Sequence, residues 1–301
     1  MRLDDYRESE NVGDQRGQSF GGGGGLGGGL GPIAFMIGSR FGIGGIIVVA
    51  IGMMLFGMNP LSLVGGGGTA VSPQQRTQVT QAGAAKACAV NDASTFSCRV
   101  LASTEDTWGK IFQQSGQRYQ PAGLIFYGGT GSSGCGVAQS AMGPFYCPSD
   151  NRIYLDTSFF DELASRFHAA GDFAQAYVVA HEVGHHIQFL TGVADKVQQA
   201  QARASSTEGN AIQVRMELQA DCYAGVWAAH NRDRIEPGDV EEGMRAAQAI
   251  GDDTLQKQAQ GRVVPESFTH GTSAQRMSWL KRGLDSGDPA QCDTFAAGAL
   301  S

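Results

Sequence analysis

From Phe41 to Val64 the chain carries no charged residue, and Ile46, Ile47, Val48, Val49, Ile51 and Met53 to Phe56 dominate the stretch. As a helix it would rise roughly 36 Å, enough to cross a hydrocarbon core of about 30 Å. Its glycines are tolerated in a transmembrane helix, and Pro60 falls near the outer end. A cleavable signal peptide is disfavoured, because the apolar run begins behind a tail holding five acidic residues and no clear A-x-A site follows. Arg2, Arg7, Arg16 and Arg40 precede the run, whereas the nearest basic residue after it is Arg76. The positive-inside rule therefore predicts a single span with the N-terminus in the cytoplasm and the main domain outside.

The flanks are read from this division. Residues 1–40 are polar and then glycine-rich, and lack the pattern needed to bury a core, which predicts a flexible tail. Residues 65–82 form a Gly/Ser/Gln/Thr-rich tether, and 83–301 the globular domain. All six cysteines follow the apolar run, at positions 88, 98, 135, 147, 222 and 292. An even number confined to one side of a membrane segment points to an oxidising compartment. Proximity suggests the pairs 88–98, 135–147 and 222–292, although other connectivities are open to six cysteines. No CxxC occurs, which disfavours cysteine-bound zinc. With 22 basic against 29 acidic residues there is no footprint for nucleic acid.

Within the domain, 94–114 reads as a helix with Ser94 or Thr95 as cap, and Ala122 to Tyr127 as a short strand. Residues 128–144 read as a Gly/Ser-rich loop, and 145–147 and 152–156 as two strands around a Pro148–Asn151 turn. From Thr157 onward the pattern is helical, broken at Gly171, Gly192 and Gly251.

The chemistry concentrates in Ala180-His181-Glu182-Val183-Gly184-His185-His186, an H-E-x-x-H motif inside the amphipathic helical run 172–190. Residues four apart share a helix face, so His181 and His185 can reach one ion while Glu182 points off that line as a general base. Catalytic zinc commonly takes a third protein ligand and one water. Glu217, on a second patterned helix, supplies that ligand, and Asp221 one turn later can accept the free ring N–H of a ligand histidine, most plausibly His181. Gln188 and Thr191 stand where a metzincin needs Gly and His. His186 lies off the ligand face and is expected to pack or bond locally, while His168 and His230 read as surface or capping residues. His270 precedes a helix through Trp279 and could donate to the oxyanion of a tetrahedral intermediate or merely cap; Arg276 reads as a helix anchor.

HEVGHH followed by ELQADCYAG resembles the gluzincin pairing of HExxH with a downstream ExxxD. The glycine-rich N-terminus, the apolar run, Gly134-Cys135-Gly136, Gly143-Pro144-Phe145-Tyr146-Cys147-Pro148, Ile153 to Phe160 and Thr269-His270-Gly271 resemble the bacterial family of putative neutral zinc metallopeptidases over nearly the whole chain. That resemblance implies an α+β zincin-like domain, mostly helical with a small sheet. It also implies one zinc ion on His181, His185 and Glu217, with Glu182 catalytic. A zincin would let an extended peptide add to the edge of the strands at 145–156. The expected protein is a peptidase acting on polypeptides, held by one span in the bacterial inner membrane with its catalytic domain in the periplasm or outside. The alternative is a non-proteolytic zinc-containing envelope protein with a scaffolding or partner-binding role. An intact Glu182 disfavours it, since a structural zinc site needs no base.

Overall fold

A computed structural model describes residues 1–18 and 80–300. The helices and small sheet expected of an α+β domain are present. Strands β1 (Val12–Asp14), β2 (Gly123–Phe126), β5 (Phe145–Cys147) and β6 (Arg152–Leu155) form one sheet in the order β1-β2-β6-β5. The first two pairings are parallel and β5–β6 is antiparallel. The predicted loop at 128–144 instead holds an antiparallel hairpin, β3 (Thr130–Ser133) and β4 (Gly136–Gln139). Its Gly/Ser composition hides the strands, because their apolar alternation is almost absent.

Both faces of the sheet are covered, so β2 and β6 read as continuous apolar runs. Leu124, Phe126, Ile153 and Leu155 join the main core, while Ile125 and Tyr154 join a smaller one with Tyr127, Ala138 and Cys147 beneath the hairpin. Helices α1 (Gln81–Cys88) and α2 (Asp92–Gln114) flank the sheet. Asn91 caps α2, its side chain accepting from the Ser94 N–H, so the helix starts ahead of the expected Ser94 or Thr95.

The remaining helices are α3 (Ser158–Ser165), α4 (Asp172–Leu190), α5 (Val193–Gln201), α6 (Ser206–Ala229), α7 (Asp239–Ala249), α8 (Asp252–Gln260) and α9 (Ser273–Ser286). The breaks at Gly171, Gly192 and Gly251 fall where expected, and Gly192 takes a left-handed φ of 73° that lets α5 turn away from α4. A capping box of Ser205 and Glu208 starts α6. Helix α4 was expected to bury one stripe; it is buried nearly all round, because α2, α6, α7 and β5 all pack on it. Three disulfides, Cys88–Cys98, Cys135–Cys147 and Cys222–Cys292, realise the pairing that sequence proximity suggested.

The N-terminal residues depart from expectation. Residues 1–18 are not a loose tail but part of this body. Met1, Leu3 and Val12 are almost fully buried, each worth roughly 1.5–3 kcal/mol over exposure. The buried carboxylate of Glu105 on α2 accepts from Ser9 Oγ at 2.5 Å, Asn11 Nδ2 at 2.8 Å and Arg7 at 3.0 Å. The Met1 amine lies 2.5 Å from Asp172 and 3.0 Å from Asp239. Many of the anchoring contacts are polar and the buried apolar residues are widely spaced, which is why hydrophobic patterning does not reveal them. Among the described residues no helix is long and apolar enough to cross a membrane. The apolar run 41–64, and the tether as far as residue 79, lie outside the described residues.

Candidate metal centre and cleft

Helices α4 and α6 carry the centre and meet at very close range. A Cβ on Gly184 would stand 2.9 Å from both the Cα and the carbonyl oxygen of Ala220, so only glycine permits this approach. His181 and His185, one turn apart on α4, thereby face Glu217 on α6. Their Nε2 atoms lie 3.3 and 3.4 Å from the same Glu217 oxygen, Oε2. Ligands about 2.0–2.1 Å from a tetrahedral zinc stand roughly 3.3–3.4 Å apart, so both histidine–glutamate distances match that spacing. The rings meet edge to face, with centroids 4.8 Å apart.

Every remaining polar atom of these three side chains has a partner. His181 donates from Nδ1 to Asp221 Oδ1 at 2.8 Å. Asp221 is fully buried and also accepts from Tyr177 Oη at 2.6 Å and from Arg276 through Nε at 3.0 Å and Nη2 at 2.9 Å. Arg276 is therefore the anchor expected, tying α9 to α4 and α6. The helices that carry it cross without intervening side chains: Gly225 of α6 lies against the Leu280 carbonyl, and Gly283 of α9 against the Cys222 carbonyl. His185 donates from Nδ1 to Gln188 Oε1 at 2.9 Å. The Gln188 amide is fixed in that sense by donating to Met216 O at 2.7 Å and Gln219 Oε1 at 3.1 Å. Gln219 in turn donates to Cys292 O at 2.9 Å, beside the Cys222–Cys292 bridge. Gln213 donates to Glu217 Oε1 at 2.8 Å, which leaves Oε2 for the shared position. These contacts fix tautomers and orient donors, as partners of metal ligands do.

The charges are arranged to match. Burial would raise the Glu217 carboxyl, but His185 and His181 outweigh it and hold it well below the usual range. Burial likewise opposes ionisation of Asp221, and Arg276 and His181 overcome it. Burial lowers His181, yet Asp221 and Glu217 carry it up to about 9 in the absence of metal. Glu182 is 7% exposed, and burial raises its carboxyl against the opposing pull of His181 and His185.

A cleft of about 370 Å³ opens over this group, lined by His181, Glu182, His185, Glu217 and His270. Its other walls include Phe145, Pro148, Phe159, Phe167, Val178 and Leu255. Strand β5, at one edge of the sheet, contributes Phe145 and Tyr146. His270 reaches the cleft with its side chain 40% exposed and its Nδ1 3.2 Å from Asp252 Oδ1. Asp252 Oδ2 accepts the backbone N–H groups of Thr269, His270 and Gly271 at 2.7, 2.6 and 3.1 Å. Burial lowers the His270 pKa, but Asp252 outweighs it and the net shift is upward.

His181, Glu182, His185, Glu217, Asp221 and His270 thus come together as the motifs suggested. Asp252, Gln188, Gln213 and Tyr177 were not foreseen. Tyr177 and Gln188 lie one turn from His181 and His185 respectively on the same helix, a spacing that could have flagged them. Asp252 looks in sequence like any acidic residue at a helix start. His186 bonds to distant partners, Tyr146 Oη at 3.0 Å and Gln120 O at 2.6 Å, instead of locally, and so ties α4 to β5. His168 is exposed, and His230 ends α6 with a 2.9 Å hydrogen bond to Gly287 O.

A second acidic group, Asp172, Asp239 and Glu242, also converges, but the Met1 amine already sits on two of its carboxylates.

The family described as "Putative neutral zinc metallopeptidase" matches residues 1–295, and the chain belongs to it. It is 50% identical over 298 residues to "Uncharacterized protein YpfJ" of Escherichia coli K12, covering 98% of this chain and 99% of that one. "Uncharacterized protein Rv2575" of Mycobacterium tuberculosis H37Rv is 42% identical over 226 residues, 69% of this chain and 74% of that one. No solved structure matches.

Proposed function

We propose that this member of the zinc metallopeptidase family hydrolyses peptide bonds in polypeptides, using one zinc ion on His181, His185 and Glu217 and Glu182 as the general base. The convergence of both Nε2 atoms on Glu217 Oε2, at tetrahedral spacing, carries the reading. When bound, zinc supplies Lewis acidity, acidifying a water and polarising the scissile carbonyl. Glu182, raised by burial and free of a neutralising bridge to Arg276, takes the proton from the attacking water at its carboxylate and returns it to the leaving amine. His270, held by Asp252, presents its imidazole to the cleft and donates to the developing oxyanion. The open edge of β5 offers main-chain groups for an extended peptide, and the apolar walls favour substrates with large apolar side chains near the scissile bond. Three disulfides support work in an oxidising compartment outside the cytoplasm, and residues 41–64 offer an apolar segment for contact with the membrane.

The test uses the full chain, because residues 1–18 supply a strand of the sheet. Zinc-loaded protein should cleave an unfolded protein substrate, lose that activity on chelation and regain it with added zinc. Glu182→Gln should keep its zinc and lose activity by about 10²–10⁴-fold. Full activity in Glu182→Gln would remove Glu182 from the mechanism. A zinc-loaded protein inert towards every substrate would favour a non-proteolytic role.

A further inference from the structure

Residues 1–18 are joined to the 80–300 body by strand pairing, buried apolar side chains, hydrogen bonds and ion pairs. Strand β1 pairs in parallel with β2, in the register Val12–Leu124, Gly13–Ile125 and Asp14–Phe126. Leu3 is 1% exposed and Val12 0%. Ser9 and Asn11 close over the buried Glu105 carboxylate, Tyr6 Oη donates to Asp106 at 2.7 Å, and Arg2 N donates to Arg234 O at 2.8 Å. Arg16 reaches from Asp14 across to Ser94 Oγ and Ala87 O, both at 2.7 Å, at the α1–α2 junction.

A chain that leaves a folded body and returns to it crosses any intervening membrane an even number of times. The uncharged stretch 41–64 is long enough for one helical crossing and too short for two, since each needs at least about 17 residues. The charge asymmetry that pointed to a cytoplasmic N-terminus also weakens. Arg7 is engaged with Glu105 and Asp106, and Arg16 with Asp14, so these charges belong to the body and not to a juxtamembrane patch. We infer that residues 1–18 occupy the same compartment as the disulfide-bonded body, and that residues 41–64 do not carry the chain across the membrane as a single span. Residues 1–18 are then outside the cytoplasm with the disulfide-bonded body. This holds whether or not the centre is a peptidase.

Two single-cysteine variants of the full chain test it in cells. Asp4 is 97% exposed and Lys281 64%, and all six native cysteines are paired, so D4C and K281C each add one reactive thiol. Cells with a permeabilised outer membrane are treated with a membrane-impermeant maleimide, before and after lysis. Both positions should label to the same extent before lysis. Equal protection of both until lysis would still uphold the shared compartment, while moving the body to the cytoplasmic side. Labelling of Lys281→Cys with protection of Asp4→Cys would overturn the inference and restore the single span.

Discussion

Replacing Asp221 by Asn isolates what holds His181 in place. The carboxylate accepts four hydrogen bonds, from His181 Nδ1, Tyr177 Oη and two nitrogens of Arg276, and it is fully buried. An amide of the same shape retains one acceptor oxygen but turns an N–H₂ towards Arg276, and leaves a guanidinium that is 2% exposed without its counter-charge. Breaking a buried pair by removing one partner costs on the order of 3–5 kcal/mol. Asn keeps part of the dipole, so the lower end applies, about 3 kcal/mol, or roughly 6–12 °C in Tm for a body of this size. Zinc affinity should fall separately by about 10–100-fold, because the His181 tautomer is no longer imposed. The double variant D221N/R276M separates the two effects. Removing the stranded cation should recover much of the lost metal-free stability and none of the affinity. Metal-free Tm by calorimetry and zinc affinity by chelator competition give the two readings. Affinity within threefold of the parent in D221N, or restored in the double variant, would refute the role given to Asp221.

Gln188→Leu should weaken zinc by about tenfold or more, since it removes the acceptor for His185 Nδ1 and strands Met216 O and Gln219 Oε1; the same chelator competition reads it. Gly184→Val should lower zinc affinity at least tenfold without altering a ligand, because its side chain must push α4 from Ala220; tight zinc in that variant would contradict the packing. The metal-free protein should have a distinct pH profile. His181 is raised from its ordinary value of 6.5 to about 9, so its stabilising contribution is complete below pH 6.5 and lost as pH rises to about 9. Denaturant unfolding should show that decline in metal-free protein and not in the zinc-loaded form, while zinc affinity climbs through the same window as the competing proton leaves.

The parts of this fold legible in the sequence are those whose physics is periodic or stoichiometric. HExxH on one helical run and ExxxD on a later one each put two side chains on a single helix face, and cysteines close in sequence can close short loops. What stayed hidden has no period. Residues 1–18 offer few apolar side chains and dock mainly through Ser9, Asn11, Arg7 and Arg16, residue types that elsewhere face solvent. The β3–β4 hairpin is written in Gly and Ser. Gln188 and Asp252 act through partners that tertiary structure brings to them, from α6 and from the segment before α9. The transmembrane reading failed to anticipate that residues 1–18 belong to the same body as residues 80–300.

The motif HExxH leaves two positions unspecified, and in this chain Gly184 fills one of them. Its missing side chain sets how near one helix axis comes to the other, and so sets the spacing of the three candidate donors. A wildcard in the one-dimensional pattern is thus a ruler in three dimensions. Selection for zinc selectivity can act there on spacing, with all three donors unchanged, and a redesign that grafts the ligands alone onto other helices would inherit the chemistry without the gauge.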